Sequence, residues 1–153
     1  MSVLLKDKVV IVTGAGRGIG RGIALMAAAN GAKVVVNDLG GAEDGSGSDA
    51  SPADEVVTEI NSLGGEAISS YASVTEWDAA HDIVETAVNN FGRVDCVVNN
   101  AGNLRDAIFH KMTEEEFDSV INVHLKGTFN VSRAAATHFR AQTSGCFVNM
   151  TST

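Results

Sequence analysis

The run Val9-Val10-Ile11-Val12 passes directly into Thr13-Gly14-Ala15-Gly16-Arg17-Gly18-Ile19-Gly20, and no other feature constrains the fold as much. An apolar β-branched run reads as a buried strand, and the glycine-paved turn behind it leads into a helix start. Glycine lets backbone approach a ligand with no Cβ in the way. The helix start adds unpaired N–H groups and the positive end of its dipole. Such a turn suits the pyrophosphate of a dinucleotide. The spacing is T-G-x-x-x-G-x-G, not G-x-G-x-x-G. Asp38 closes the next predicted strand, Ala32 to Asp38, where an acidic side chain is placed to hydrogen-bond ribose hydroxyls. Candidate binding residues are therefore Gly14, Gly16, Arg17, Gly18, Ile19 and Gly20 from the turn, with Asp38 and Leu39 at the strand end.

Strands and helices alternate along the rest of the chain, which predicts a parallel sheet with helices on both faces. Val9 to Thr13 is the first strand, and Gly18 to Asn30 the first helix, with Ile19, Ile23 and Met26 on one face and Gly31 as its stop. Leu39 to Ala50 is too glycine-rich for helix and reads as an inserted loop. Ser51 is expected to cap, and Pro52 to open, a helix reaching about Leu63. Ala67 to Ala72 is the third strand, Thr75 caps a helix to about Asn90, and Val94 to Asn99 is the fourth strand. Thr113 with Glu116 forms a capping box for a long helix to about Ala141, and Cys146 to Met150 is the fifth strand. No linker or repeat divides the chain, so residues 1–153 read as one domain.

A formal charge of -8 argues against a nucleic-acid or acidic-membrane surface, since phosphates would be repelled. No apolar run approaches the roughly 20 residues of a membrane span, and no basic stretch precedes an apolar signal core. A cytoplasmic protein is expected. Cys96 and Cys146 lie in strand-like apolar runs and are expected as buried reduced thiols; no metal-ligand set is read.

The glycine turn, Asp38 and the later Asn99-Asn100-Ala101-Gly102 together resemble the short-chain dehydrogenase/reductase family, from about Lys6 to the last residue. The resemblance implies a Rossmann-like, doubly wound parallel sheet in three α-β-α layers, truncated after the fifth strand. It also implies a nicotinamide cofactor and hydride transfer between it and a secondary alcohol or ketone. Asn99, Ala101 and Gly102 are then expected beside the nicotinamide-side ribose. Ser73 and Val74 fall where relatives carry Asp-Val near the adenine, and serine cannot match a carboxylate's pull on the adenine amino group. Asp38 would repel the 2′-phosphate of NADP, a like-charge contact costing several kcal/mol, which favours NAD. Arg17 argues the other way, because NADP-dependent relatives often carry a basic residue there, although a long Arg17 can also turn to the pyrophosphate or to solvent.

Ser152 takes the position of the family's catalytic serine, whose hydroxyl would hydrogen-bond the substrate oxygen. His124 stands where relatives carry an asparagine that holds a water. It could hold that water, move the proton itself, or be structural. The family's tyrosine, four residues before a lysine, is not in the chain: the single tyrosine is Tyr71, and position 75 is Thr75. These 153 residues are therefore expected to lack turnover and to be marginally folded, with Phe117, Ile121 and Val131 uncovered and the last strand open to self-association.

Asn37-Asp38-Leu39-Gly40-Gly41, Leu104-Arg105-Asp106 and Val123-His124-Leu125 narrow the resemblance to the branch holding the (3R)-hydroxyacyl-CoA dehydrogenase units of multifunctional β-oxidation enzymes. That implies a small-molecule substrate, a 3-hydroxyacyl thioester, and a homo-oligomeric parent. A dinucleotide-binding module without catalysis is the alternative. A methyltransferase would carry an acidic residue where Thr13 stands, and a P-loop NTPase a Gly-Lys-Ser/Thr after the glycines.

Overall fold

The computed structural model describes residues 3–41, 47 and 49–151; Ser152 and half of the inserted loop lie outside the described residues. Five strands, β1 (Val9–Thr13), β2 (Lys33–Asn37), β3 (Glu66–Ser70), β4 (Cys96–Asn99) and β5 (Cys146–Asn149), form one sheet in the order β3-β2-β1-β4-β5. Every pairing is parallel. Helices α1 (Gly18–Ala29), α2 (Ser51–Ser62), α3 (Trp77–Phe91), α4 (Glu114–Ile121) and α5 (Thr128–Gln142) supply the crossovers. Alternate side chains of β1 serve opposite faces. Val9 and Ile11 join Ile83, Val84 and Val131 beneath α3 and α5, and Val10 and Val12 join Ala24, Ala27, Val56 and Ile60 beneath α1 and α2. The result is the expected doubly wound, three-layer α/β arrangement, with the order reversing between β1 and β4. In open α/β sheets the ligand crevice lies at the carboxyl ends of the strands at that switch point.

Asp95 locks the opposite ends of these two strands. Its Oδ2 accepts from Val9 N–H at 2.9 Å and from Arg93 Nε at 2.8 Å, while Oδ1 accepts from Arg93 Nη2 at 2.6 Å. Burial pushes the Asp95 carboxyl up, but the Arg93 and Val9 hydrogen bonds and the charges of Arg93 and Lys8 outweigh it and hold it below 3.8. The stabilisation is therefore complete above that value and lost as pH falls through the depressed one.

Several local expectations are corrected. The buried face of α1 is Gly20, Ala24 and Ala27; Ile19 and Met26 are 66% and 61% exposed. Small side chains let the helix lie close on the sheet, and the larger ones project past it. Ser51 is the first helical residue of α2 and not its cap: Asp49 accepts from Ser51 N–H at 2.9 Å and from Ser51 Oγ at 2.8 Å. Thr75 does not cap α3, which starts at Trp77; its Oγ1 lies 2.9 Å from Ser73 Oγ. The Thr113–Glu116 capping box is present. The helix it opens is not continuous, because a π-helical stretch, Asn122–Gly127, separates α4 from α5. Val131 is fully buried, whereas Phe117 is 56% and Ile121 36% exposed. Every residue of β5 is exposed, Cys146 included, so Cys146 is not the buried thiol expected; Cys96, its register partner, is half-buried, and both are free.

Candidate functional site

The turn between β1 and α1 uses its glycines in different ways. Gly14 and Gly18 have left-handed backbones, φ +62° and +52°. A Cβ on Gly14 would lie 2.9 Å from Ala101 Cα, and one on Gly16 would lie 2.7 Å from Pro52 Cβ and 2.9 Å from Asp38 Oδ2. A Cβ on Gly20 would overlap the Gly14 carbonyl. These three are glycine because other parts of the protein press against them. Gly18 differs: nothing lies within 4 Å of the position its Cβ would take. Arg17 occupies the cap position of α1 without a side-chain cap bond, and the first turn carries no acidic residue. The helix start thus keeps its N–H donors and its positive dipole end for an anion.

That start opens on a cavity of about 650 Å³. Gly14, Arg17 and Gly18 form one wall, Asp38, Leu39 and Gly41 a second, and Ser73 and Val74 with Ala101 and Gly102 continue around it. The Asp38 carboxylate is fixed by backbone, accepting from Gly16 N–H and Gly40 N–H at 2.7 Å each. An ionised carboxylate has about four lone-pair sites, so two remain for ligand hydroxyls. Arg17 reaches across to donate to the Gly41 carbonyl at 3.3 Å, on the same side as Asp38.

Of the residues named from sequence, Gly16, Ile19, Gly20, Asn99 and His124 do not line this cavity. Gly16 and Gly20 act through packing, and Ile19 points outward. Asn99 is 5% exposed and donates to Ser132 Oγ at 3.0 Å and Asn149 Oδ1 at 2.9 Å, tying β4 to α5 and β5. Its neighbour Asn100 shapes the site, with Nδ2 donating to the carbonyls of Thr13 at 3.1 Å and Gly14 at 3.0 Å. Thr13 Oγ1 accepts in turn from Asn100 and Ala101 N–H, each at 3.0 Å. The β1 and β4 ends are thereby stitched into one edge.

His124 sits in the π-helical stretch, exposed, with Nε2 3.0 Å from Asn103 O and 3.2 Å from Asn103 N. A Cβ on Gly102 would lie 2.7 Å from His124 Cε1, so the ring backs the turn that lines the cavity. Asn37, Thr75, Asn103, Ser119 and Asn122 line the cavity but were not among the binding or catalytic residues expected from sequence. Asn37 carried a signal, as a polar residue closing the apolar run Val34-Val35-Val36. Ser119 and Asn122 reach the site through tertiary packing and carried none.

A profile of the short chain dehydrogenases matches residues 8–153. The chain belongs to the short chain dehydrogenase family. It is 54% identical over 97% of its length to a Mycobacterium tuberculosis protein named as a short-chain type dehydrogenase/reductase, covering 52% of that protein. It is 53% identical over 96% of its length to the Saccharomyces cerevisiae peroxisomal hydratase-dehydrogenase-epimerase, covering 16% of it. A solved structure, a 7α-hydroxysteroid dehydrogenase complexed with NADH and 7-oxo glycochenodeoxycholic acid, superposes with a TM-score of 0.87 at 31% identity, over 99% of this chain and 55% of that one. The chain thus spans about half the length of the first of these relatives, and far less of the multifunctional one.

Proposed function

We propose that the chain binds NAD in preference to NADP, as the dinucleotide-holding part of an oxidoreductase that moves a hydride between the nicotinamide and a secondary alcohol or ketone. The observation that carries this reading is the pairing of a bare helix start at Gly18 with a backbone-locked Asp38 carboxylate on one cavity. The helix start would hold the pyrophosphate, and Asp38 the adenosine ribose hydroxyls. The NADH named with the solved relative supports a nicotinamide cofactor. When bound, the nicotinamide would accept or donate the hydride.

The rest of the chemistry would come from Ser152, which lies outside the described residues, and from His124, which backs the Ala101–Gly102 turn. Ser152 would hydrogen-bond the substrate oxygen, and His124 would hold a water or a proton beside Asn103. Turnover would further need a tyrosine and lysine pair that is not among these 153 residues. Tyr71 does not serve, because its hydroxyl donates to Asp54 and lies 2.9 Å from Ser69 Oγ at the β3 end. A binding module without catalysis is accordingly the second reading. The substrate class proposed is a 3-hydroxyacyl thioester, and a Thermotoga maritima relative 38% identical and named a 3-oxoacyl-[acyl-carrier-protein] reductase supports an acyl substrate.

Titration calorimetry with both cofactors tests the reading. NAD should bind more tightly than NADP, and Asp38→Ala should narrow or invert the difference by removing the repulsion of the 2′-phosphate. Equal affinities in the unmutated protein would sink the cofactor preference, and no binding of either would sink the site.

A further inference from the structure

The segment between β3 and α3 has no regular structure, yet Ala72, Ser73, Val74 and Thr75 all line the cavity. Two buried side-chain amides, one from β2 and one from α5, hold its carbonyls. Asn37, 2% exposed at the end of β2, donates from Nδ2 to Ala72 O at 3.0 Å and to Ser70 O at 3.3 Å. Asn130, 1% exposed on α5, donates from Nδ2 to Val74 O at 3.0 Å and to Thr75 O at 3.3 Å. The Ser73 hydroxyl is used inside the segment, accepting from Thr75 N–H at 3.2 Å and lying 2.9 Å from Thr75 Oγ1. Gly127 presses from the same side as Asn130, since a Cβ there would come within 2.7 Å of Val74 Cγ2.

An asparagine in a fully buried helical position is costly unless its amide is matched. Here the match is loop carbonyls on the cavity wall, not helix backbone or core. We propose that Asn130 is a positioning residue for the adenosine half of the dinucleotide: it sets the height of the Val74–Thr75 backbone against which the purine lies. The inference rests on the dinucleotide reading above, because it takes the cavity end flanked by Asp38 and residues 72–75 as the adenosine end. With Ser73 turned inward to Thr75, wall position and not a serine contact determines the fit. Asn130 acts through the segment and does not touch the ligand.

The probe is 5′-AMP, titrated calorimetrically into the whole chain. Asn130→Leu keeps the branching and the number of heavy atoms and removes both donors, and should weaken 5′-AMP binding about tenfold, the loss expected for roughly one to two net hydrogen bonds. Val131→Ala, a cavity on the same helix, should lower the thermal midpoint and leave 5′-AMP affinity unchanged. In the unmutated protein, the Asn130 side-chain amide resonances should shift on addition of 5′-AMP, a measurement that stands even if the leucine variant fails to fold. Unchanged affinity in a folded Asn130→Leu, an equal loss in Val131→Ala, or an unmoved Asn130 amide signal would each overturn the proposal while leaving the dinucleotide reading intact. Failure of the unmutated protein to bind 5′-AMP would remove both.

Discussion

Helices α1 and α4 begin in opposite ways. Thr113 caps α4 by accepting from Glu116 N–H at 3.2 Å, Glu116 Oε2 accepts from Thr113 N–H at 2.8 Å, and Glu114 and Glu115 add negative charge to the same turn. The corresponding positions of α1 hold Arg17 at the cap and Gly18 and Gly20 as the first and third helical residues, with no side-chain cap and no acid. A helix start left bare sacrifices about 1 kcal/mol that a cap would supply. One that also faces a cavity keeps donors that a ligand can take instead. The contrast separates a helix built for the fold from one built around an anion, and each change below moves one helix start toward the other.

The largest effect is expected from placing any side chain at the third residue of α1, where α4 carries Glu116. Gly20→Ala would drive a methyl into the Gly14 carbonyl and crowd Asn100 Nδ2, where neither neighbour is free to retreat because Asn100 already bonds the Thr13 and Gly14 carbonyls. Overpacking against backbone should cost about 3 kcal/mol or more, a large share of a domain's stability. Denaturant titration reads it, and a variant within about 0.5 kcal/mol of the unmutated protein would contradict the packing described.

Next comes Gly18→Val, two residues away and different in kind. Its side chain has room, so the protein should fold, with a strain of about 1–3 kcal/mol for holding a β-branched residue at φ +52°. The room it would fill is the mouth of the cavity. NAD binding should become undetectable by calorimetry, and retained affinity would mean that the phosphates lie elsewhere. Arg17→Ser should act more mildly and in two directions at once. A serine at the cap offers α1 an acceptor of its own, raising stability by about 0.5–1 kcal/mol, and it competes for the N–H groups while removing a positive charge. Affinity for NAD should fall about tenfold as the thermal midpoint rises, the balance expected when a cap competes with a ligand worth a similar energy. A midpoint that falls with the affinity would argue that Arg17 supports the fold through Gly41.

The same contrast shows what could be read from residues alone. The α4 cap was legible because its chemistry is local: Thr113 and Glu116 stand three apart and satisfy each other. The glycine turn and Asp38 were legible because backbone approach demands glycine and the strand end places the acid. The core face of α1 was misread because Ile19 and Met26 are more apolar than Gly20, Ala24 and Ala27, whereas closeness to the sheet is decided by size. Asn99 and Asn100 could not be told apart, since which amide reaches the Thr13 carbonyl depends on which way the strand end turns. The π-helical stretch at Asn122–Gly127 has no local signature, and with it went the positions of Ser119, Asn122 and His124 relative to the cavity.

Thr113→Ala is expected to have the smallest effect and tests the α4 side of the contrast. It removes one member of the capping box and leaves Glu116 N–H to water, for a loss of about 1 kcal/mol. The three glutamates of the first turn remain and still favour the dipole, so α4 should persist. The dinucleotide should not notice the loss of the hydroxyl. What α4 contributes to the cavity comes from its far end, where Ser119 Oγ accepts from Asn103 Nδ2 at 2.8 Å and fixes the residue after Gly102. The cap and that contact are separated by more than one turn of helix, and only fraying through the whole turn would couple them. A lower thermal midpoint with unchanged NAD affinity is therefore the expected result. If affinity falls with stability, the α4 start also holds the wall in place, and the division between a helix for folding and a helix for binding gives way to a site supported from both.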